Sequence, residues 1–324
     1  LDKYKLKKTI HQFFPIDHYF LISKFLKYWR PHIAIFVDSE IWPGMSTALK
    51  NKKIPLILIN ARITKKSFKK WLKLRAFAKS IFNKITVAYP QNKETKKYLK
   101  ELKVNNIKDV GNLKIIENTQ DKQDNIGNKL NIQFKKYKTW VAASTHDGEE
   151  IFCAKAHIEL KKKNKNLITI IIPRHIHRVQ DIISQLQNLN LKVVTHSSKI
   201  KTLKNVDVYV VDTFGDSQKF FKISNTVLMG KFLVVKGSQN PLEAVRYGAK
   251  ILHGPNYNNF KDIFKLLKSL KVSEKITTIK QLVTAITFKK DMRRSFKIKK
   301  IGVLILKKTL KELEIYINNE PKKT

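Results

Sequence analysis

The chain of 324 residues has a single cysteine, Cys153, which excludes a disulfide framework and a zinc site built from several cysteines. Acid is scarce, with 25 Asp and Glu against 66 Lys and Arg, a formal net charge of +41. No apolar run approaches the roughly 18 to 20 residues that span a bilayer. The longest uncharged apolar stretches, residues 33–37 and 54–59, have only strand length. Residues 1–10 are basic, but Gln, Asp and His follow instead of the apolar core of a signal peptide. Neither G-x-G-x-x-G nor G-x-x-x-x-G-K-[ST] occurs, so the commonest phosphate-loop fingerprints are absent. No internal repeat is present.

What remains is enough to fold. A hydrophobic fraction of 42% with 10% aromatics supports a sizeable core and excludes a wholly disordered basic tail. The length suggests two domains. The basic character is almost all lysine (58 Lys, 8 Arg), and 23 Asn accompany it. Two explanations compete: AT-rich coding, which enriches Lys, Ile and Asn together, and a real anionic partner, either a polyanion or a membrane surface.

Short β-branched runs alternate with longer amphipathic ones. Strands are expected at 33–37, 54–59, 85–89, 140–143, 167–172, 192–195, 206–211, 226–229 and 251–252, and helices at 144–163, 176–189 and 241–247. Several strands are apolar throughout, as in a parallel sheet buried on both faces, and the βαβα rhythm indicates an α/β protein. The polar stretch 118–131 reads as a linker. The expected division is therefore an N-terminal domain at 1–120, a linker at 121–131 and a C-terminal domain with its terminal helices at 132–324. Residues 64–84 hold eight basic residues and no acid, with Phe68, Trp71, Leu72, Phe77, Ile81 and Phe82 spaced for one helical face. That pattern fits an ordinary solvated surface helix or one lying against anionic headgroups, and residues 289–308 read the same way.

In an open α/β sheet, ligands gather outside the carboxyl ends of strands, where helix N-termini present free N–H groups. The expected strands end in Ser144-Thr145-His146-Asp147-Gly148-Glu149-Glu150, Pro173-Arg174-His175, Asp212-Thr213-Phe214-Gly215-Asp216-Ser217 and Asn240-Pro241-Leu242-Glu243. Singly, each is an ordinary helix-capping run. Recurring along one sheet, they suit a nucleotide-sugar cleft in which backbone amides and Arg174 hold a phosphate or carboxylate and Glu243 accepts from ribose hydroxyls. His175 and His177 have no cysteine or carboxylate set nearby, which argues against a metal there. In the N-terminal half, Asp38-Ser39-Glu40-Ile41-Trp42-Pro43, Asn60-Ala61-Arg62 and Gly111-Asn112-Leu113-Lys114 occupy corresponding places. Glu40 and Lys114 could position an acceptor and stabilise developing charge, although Glu40 also suits a helix N-terminus.

These segments, together with Asn240-Pro241-Leu242-Glu243-Ala244 and Gly254-Pro255-Asn256-Tyr257-x-Asn259-Phe260, resemble in order the motif series of the 3-deoxy-D-manno-octulosonic acid (Kdo) transferases, from about residue 12 to about residue 310. The resemblance implies a GT-B fold, with two Rossmann-like domains facing across a cleft and the donor on the C-terminal one. It implies inverting, metal-free transfer of Kdo from CMP-Kdo to the lipid A precursor by a peripheral protein on the cytoplasmic face of the inner membrane, with no cofactor. By motif, Pro173, Arg174, Phe214, Gly215, Asp216, Asn240, Pro241, Leu242 and Glu243 would contact CMP, while Glu40 and Lys114 would assist at the transition state. Nucleic acid is disfavoured, since it needs charge and aromatic platforms but not Asn-Pro-Leu-Glu after a strand.

Departures from the family pattern are local. Gly230-Lys231-Phe232 and Lys236-Gly237-Ser238-Gln239 replace glycine-rich segments, and Asp216 and Asp38 stand where Glu is usual. The family's general base, a glutamate in a Ser-Val-Gly-Glu motif, and its membrane-associating helix would both lie upstream of Leu1. The expectation is a fragment of a longer enzyme or a degraded remnant. The alternatives are another GT-B glycosyltransferase with a different nucleotide sugar, and an inactive basic protein that binds membrane or nucleic acid.

Overall fold

The computed structural model describes residues 8–116, 126–231, 233, 239–257 and 260–317. Residues 118–125 of the expected linker, Phe232, residues 236–238, Asn258 and Asn259 lie outside the described residues. The chain divides into two compact units, Leu1–Ile116 with Gly302–Thr324, and Glu117–Ile301.

The first unit runs α1 (Tyr19–Trp29), β1 (Ala34–Val37), α2 (Pro43–Asn51), β2 (Leu56–Ala61), α3 (Lys65–Lys73), α4 (Arg75–Phe82), β3 (Val87–Pro90) and α5 (Lys93–Glu101), then a 3₁₀ turn at Leu113–Ile115. Its three strands form a parallel sheet in the order β1-β2-β3. Side chains alternate across β2 and β3, as the pleat requires. Leu56, Leu58 and Ala88 join a core with Ile22, Leu49, Phe82 and Leu99 of the helices. Ile57, Val87 and Tyr89 point the other way and pack with Leu313 and Tyr316. The apolar runs thus follow from burial on both faces. β1 departs from that expectation: it ends the sheet, and Ile35 and Val37 are exposed.

Residues 64–84 do not form the single helix expected. Leu74, at φ −114° and ψ 54°, separates α3 from α4. At 100° per residue, Phe68 and Ile81 would lie about 220° apart around one straight helix. The break lets both reach the same core.

The second unit continues with α6 (Asn128–Phe134), β4 (Lys138–Thr145), α7 (Glu149–Lys161), β5 (Leu167–Pro173), α8 (Val179–Gln187), β6 (Val193–Thr195), β7 (Val208–Val210), α9 (Ser217–Ile223), β8 (Thr226–Met229), α10 (Leu242–Arg246), β9 (Lys250–His253), α11 (Lys261–Ser269), β10 (Ser273–Lys275) and α12 (Ile279–Ala285). Residues 128–131, expected in the linker, are helical because Phe134 anchors α6 against Tyr209 and Phe220. The seven strands are parallel in the order β10-β9-β8-β4-β5-β7-β6. α7 turns a stripe of small residues, Cys153, Ala154 and Ala156, into the core, where α12 also packs. Burial pushes the Cys153 thiol well up, so it acts as a small core residue.

The last helix, α13 (Arg293–Ile317), belongs to both units in turn. Its start is tied to the second unit by Ser295 Oγ donating to Arg246 O (2.6 Å). From Gly302 it packs with the first unit, whereas the expected division places the terminal helices in the C-terminal domain. A Cβ on Gly302 would lie 2.9 Å from Ile115 O, so glycine is what allows that approach. None of the described helices is long and apolar enough to cross a membrane.

Candidate active site

In the second unit every strand is parallel, so all carboxyl ends lie on one edge. β4, the first strand, is central, and the chain later returns to place β8 on its other side. That reversal of strand order creates the crevice where open α/β sheets bind ligands. The two strand ends crowd closely here. Gly230 N–H donates to Ala143 O (2.7 Å), and a Cβ on Gly230 would sit 2.1 Å from Ser144 O. Any larger residue would force β4 and β8 apart. Ser144 and Lys231, on either side of this contact, both adopt the left-handed conformation (φ 57° and 70°).

Glu149, at the first position of α7 and fully buried, holds the loop that leaves β8. Its Oε2 accepts from His146 N–H (2.9 Å) and Lys231 N–H (2.8 Å), and its Oε1 from Leu233 N–H (2.9 Å). The helix N-terminus favours the carboxylate there. Glu150, also fully buried, accepts from Thr145 Oγ1 (2.8 Å) and Arg178 (3.1 and 3.3 Å), and Arg178 also reaches Asp147 (2.8 Å). The run 144–150 is thus chiefly an internal scaffold.

Arg174 differs from Arg178. Its backbone N–H donates to Thr145 O (2.9 Å), but its side chain is exposed and makes no hydrogen bond or ion pair with the described residues. Pro173 beside it is buried at the end of β5. The rings of His146 and His177 lie 5.9 and 5.5 Å from His175. Desolvation and then these neighbours, with Arg174 and Arg178, hold the His175 imidazole below its usual value. An anion would relieve that repulsion. Among the described residues there is no group of three His, Cys, Asp or Glu able to hold a metal ion.

Asp212 accepts from Ser197 N–H (2.8 Å) and Ser197 Oγ, bracing the loop after β7. Phe214 is 86% exposed and Gly215 has φ 84° with open space around it. Asp216 is bound by Thr213 Oγ1 and by Lys219 Nζ (2.7 Å). These partners outweigh desolvation and keep its carboxyl below the usual range. Asp216 therefore shapes the loop that presents Phe214. Of the 240–243 run, Pro241 and Leu242 are buried, Asn240 Oδ1 accepts from Leu242 N–H (3.2 Å), and Glu243 is half-buried in the first turn of α10.

The first unit has its own polar cluster. Asp38, just after β1, and Asn60, in β2, are both left-handed (φ 57° and 49°). Asn60 Nδ2 donates to Asp38, and Asn60 Oδ1 accepts from Leu113 N–H (3.1 Å). Lys114 Nζ lies 3.4 Å from Asp38 Oδ2. Asp38, Asn60 and Lys114 are therefore one network, assembled from three segments. Glu40 stands beside it, exposed, accepting from Trp42 Nε1 (2.8 Å). It does not cap α2. Asp17 does, taking Gly44 N–H (2.8 Å) and Met45 N–H (2.7 Å).

Asp17, Glu149 and Arg178 were not singled out from the sequence. Glu149 is legible only as an acidic residue in the first turn of a helix, a common preference. Arg178 gives no signal, because its carboxylate partners lie 28 and 31 residues away.

A sequence model described as "3-Deoxy-D-manno-octulosonic-acid transferase (kdotransferase)" matches residues 2–116. The 3-deoxy-D-manno-octulosonic acid transferase of Rickettsia felis is 30% identical over 293 residues, 90% of this chain and 63% of that one. That of Haemophilus influenzae is 27% identical over 296 residues, 88% and 68% of the two chains. This chain thus spans less than two thirds of the Rickettsia relative's length. Among solved structures, trehalose-6-phosphate synthase OtsA superposes with a TM-score of 0.53 at 11% identity, covering 94% of this chain and 76% of that one. A UDP-GlcNAc 2-epimerase from Neisseria meningitidis does so with 0.52 at 16%, covering 90% and 80%. At those identities the likeness shows the fold alone, an α/β architecture of the GT-B type as expected from the sequence. By its sequence relationships, the chain is similar to the 3-deoxy-D-manno-octulosonic acid transferases over most of its own length.

Proposed function

We propose that this chain takes part in transferring Kdo from CMP-Kdo to the lipid A precursor (lipid IVA) in lipopolysaccharide biosynthesis, as a glycosyltransferase that inverts configuration and uses no metal. The observation that carries the reading is Arg174: an exposed guanidinium with no hydrogen bond or ion pair among the described residues, at the carboxyl end of β5 and beside the reversal of strand order. A guanidinium there suits the phosphate of a nucleotide sugar bidentately. Phe214, exposed on the braced loop after β7, offers a face for the base, and Glu243 an acceptor for ribose hydroxyls.

In the proposed reaction an acceptor hydroxyl oxygen attacks the anomeric carbon of Kdo from the side opposite the nucleotide. The bond from that carbon to the phosphate oxygen breaks, and CMP leaves with the electron pair. Arg174 stabilises the charge that builds on the phosphate. Lys114, oriented by Asp38 at 3.4 Å, and Glu40 position the acceptor and offset charge on its side. The proton passes to a general base, which the family pattern locates in a Ser-x-Gly-Glu segment. A peripheral position on the cytoplasmic face of the inner membrane accords with the basic helices α3 and α4, which contain no acidic residue.

Isothermal titration with CMP and CMP-Kdo tests the donor site. Arg174→Ala should weaken binding about tenfold or more, since charge-assisted hydrogen bonds contribute about 1.5–3 kcal/mol. Unchanged affinity would remove the donor-site assignment. Incubating the full-length protein with CMP-Kdo and a tetra-acylated lipid A precursor, read by mass spectrometry, tests the transfer itself.

A further inference from the structure

An apolar groove of about 350 Å³ lies in the first unit between α1, α2 and α4. Ile22 and Ile81, nearly inaccessible, form its floor, and the exposed rings of Tyr19 and Phe77 stand at its mouth. Ala48 lines it, and Pro43, three residues after Glu40, lies at the start of α2. Two polar side chains at or near it, Thr47 and Asp17, are engaged within the chain. Thr47 Oγ1 donates to Pro43 O (2.8 Å), and both oxygens of nearby Asp17 are taken by Gly44 and Met45 N–H. A ligand in this groove therefore gains chiefly apolar contact, with Asn51 a further polar residue in the lining.

Charge narrows the choice of ligand. Helices α1 to α4 together carry ten Lys or Arg and no Asp or Glu. An apolar groove surrounded by cations fits an amphiphile with a hydrocarbon tail and an anionic head. Its volume is near the lower end for small-molecule pockets, about 300–1,000 Å³, so it holds one chain and not several.

We propose that this groove binds one acyl chain of the lipid acceptor and thereby registers the acceptor's hydroxyl beside Glu40. The inference rests on the proposed function for its choice of lipid. It goes further by naming where a chain seats and which residues select its length. Tyr19, Ala48 and Phe77 are specificity residues and take no part in bond making.

The test uses the full-length protein and a dansyl-labelled undecanoic acid, whose fluorescence rises in an apolar site. Saturable binding below the probe's micellar concentration is expected, with displacement by decyl phosphate at least about tenfold more effective than by hexyl phosphate. The usual free energy of burying a CH₂ corresponds to about fourfold per group. Ala48→Trp fills the groove and should reduce probe binding at least tenfold while circular dichroism stays unchanged. Should that variant fail to fold, Phe77→Ala at the exposed mouth should weaken binding several-fold. In turnover, Ala48→Trp should raise KM for an acylated acceptor and leave KM for the deacylated bisphosphorylated disaccharide unchanged. No saturable binding, no dependence on chain length, or equal binding by both variants and the wild type would overturn the proposal. If the protein turns over neither acceptor, the reading of the reaction fails, and probe binding still decides the groove.

Discussion

Replacing Glu149 by Gln tests whether one buried carboxylate organises the crevice of the second unit. The change is nearly isosteric, so packing is preserved and only hydrogen bonding is altered. The carboxylate accepts three backbone N–H groups, two at Oε2 from His146 and Lys231 and one at Oε1 from Leu233. A glutamine keeps one oxygen, which can serve the first two. Its NH₂ then faces Leu233 N–H, donor against donor. One charge-assisted bond is lost, about 1.5–3 kcal/mol, the other two become neutral and weaker, and a buried N–H is left unpaired. The expected cost is about 2–4 kcal/mol. For a unit of this size each kcal/mol moves Tm by about 2–4 °C, so the shift is roughly 5–15 °C. Thermal unfolding by circular dichroism reads the global effect. Hydrogen exchange at the Lys231 and Leu233 amides reads the local one and should accelerate even well below Tm. A Tm within about 1 °C of wild type, with unchanged exchange at both amides, would refute the role given to Glu149.

Arg178→Ala should cost about 3–5 kcal/mol in urea unfolding, because among the described residues it leaves the fully buried Glu150 with the Thr145 hydroxyl alone. Arg174→Ala, at an exposed side chain, should lie within about 0.5 kcal/mol of wild type, so equal costs for the two would sink the distinction. Stability of the second unit should also fall as pH drops below the usual histidine value of 6.5. His253 and His196 are held below it, in both cases first by burial, so the unfolded chain takes up protons that the folded one resists. That contribution is complete above pH 6.5 and is lost as pH falls toward the depressed folded values. His253→Phe keeps the packing against Tyr257 and Phe264 and should flatten the slope, and an unaltered slope would contradict its assignment to His253.

The strands were legible because burial on both faces demands apolar runs, and β2, β5 and β8 are such runs. β10, Ser-Glu-Lys at the sheet edge, carries no such signal and was not anticipated. The break at Leu74 was hidden too, since residues on both sides continue a helical pattern and only the shared core requires the turn. At the site, the strand-end motifs were readable because each is local. The clasp on the loop after β8 was not, because Glu149 meets Lys231 and Leu233 across 82 and 84 residues. The roles of Asp38 and Asn60 were likewise hidden. Their network needs the parallel pairing of β1 with β2 to exist.

Backbone strain separates what serves the site from what serves the fold. Many non-glycine residues with left-handed φ follow helices, among them Arg30, Lys53, Lys103, Asn190 and Lys271, where that conformation is an ordinary C-terminal cap. Asp38, Asn60, Ser144 and Lys231 are different: each lies at or just past the carboxyl end of a parallel strand. Strain of about 1 kcal/mol or more at such a position persists only when neighbours over-determine it. The neighbours are identifiable. Asp38 is gripped by Asn60 and Lys114, Asn60 also by Leu113 N–H, and Lys231 by Glu149, while Ser144 O lies 3.1 Å from His146 Nδ1. Gly230 then follows from the same constraint. With Ser144 turned into the left-handed region, its carbonyl occupies the space a Cβ would need, so the residue opposite can only be glycine. The carboxyl edges of both sheets thus depend on backbone geometry enforced by polar side chains, of which Asn60 and Glu149 are buried. Substitutions at these enforcing residues should perturb ligand binding together with stability, whereas those at exposed Arg174 should perturb binding alone.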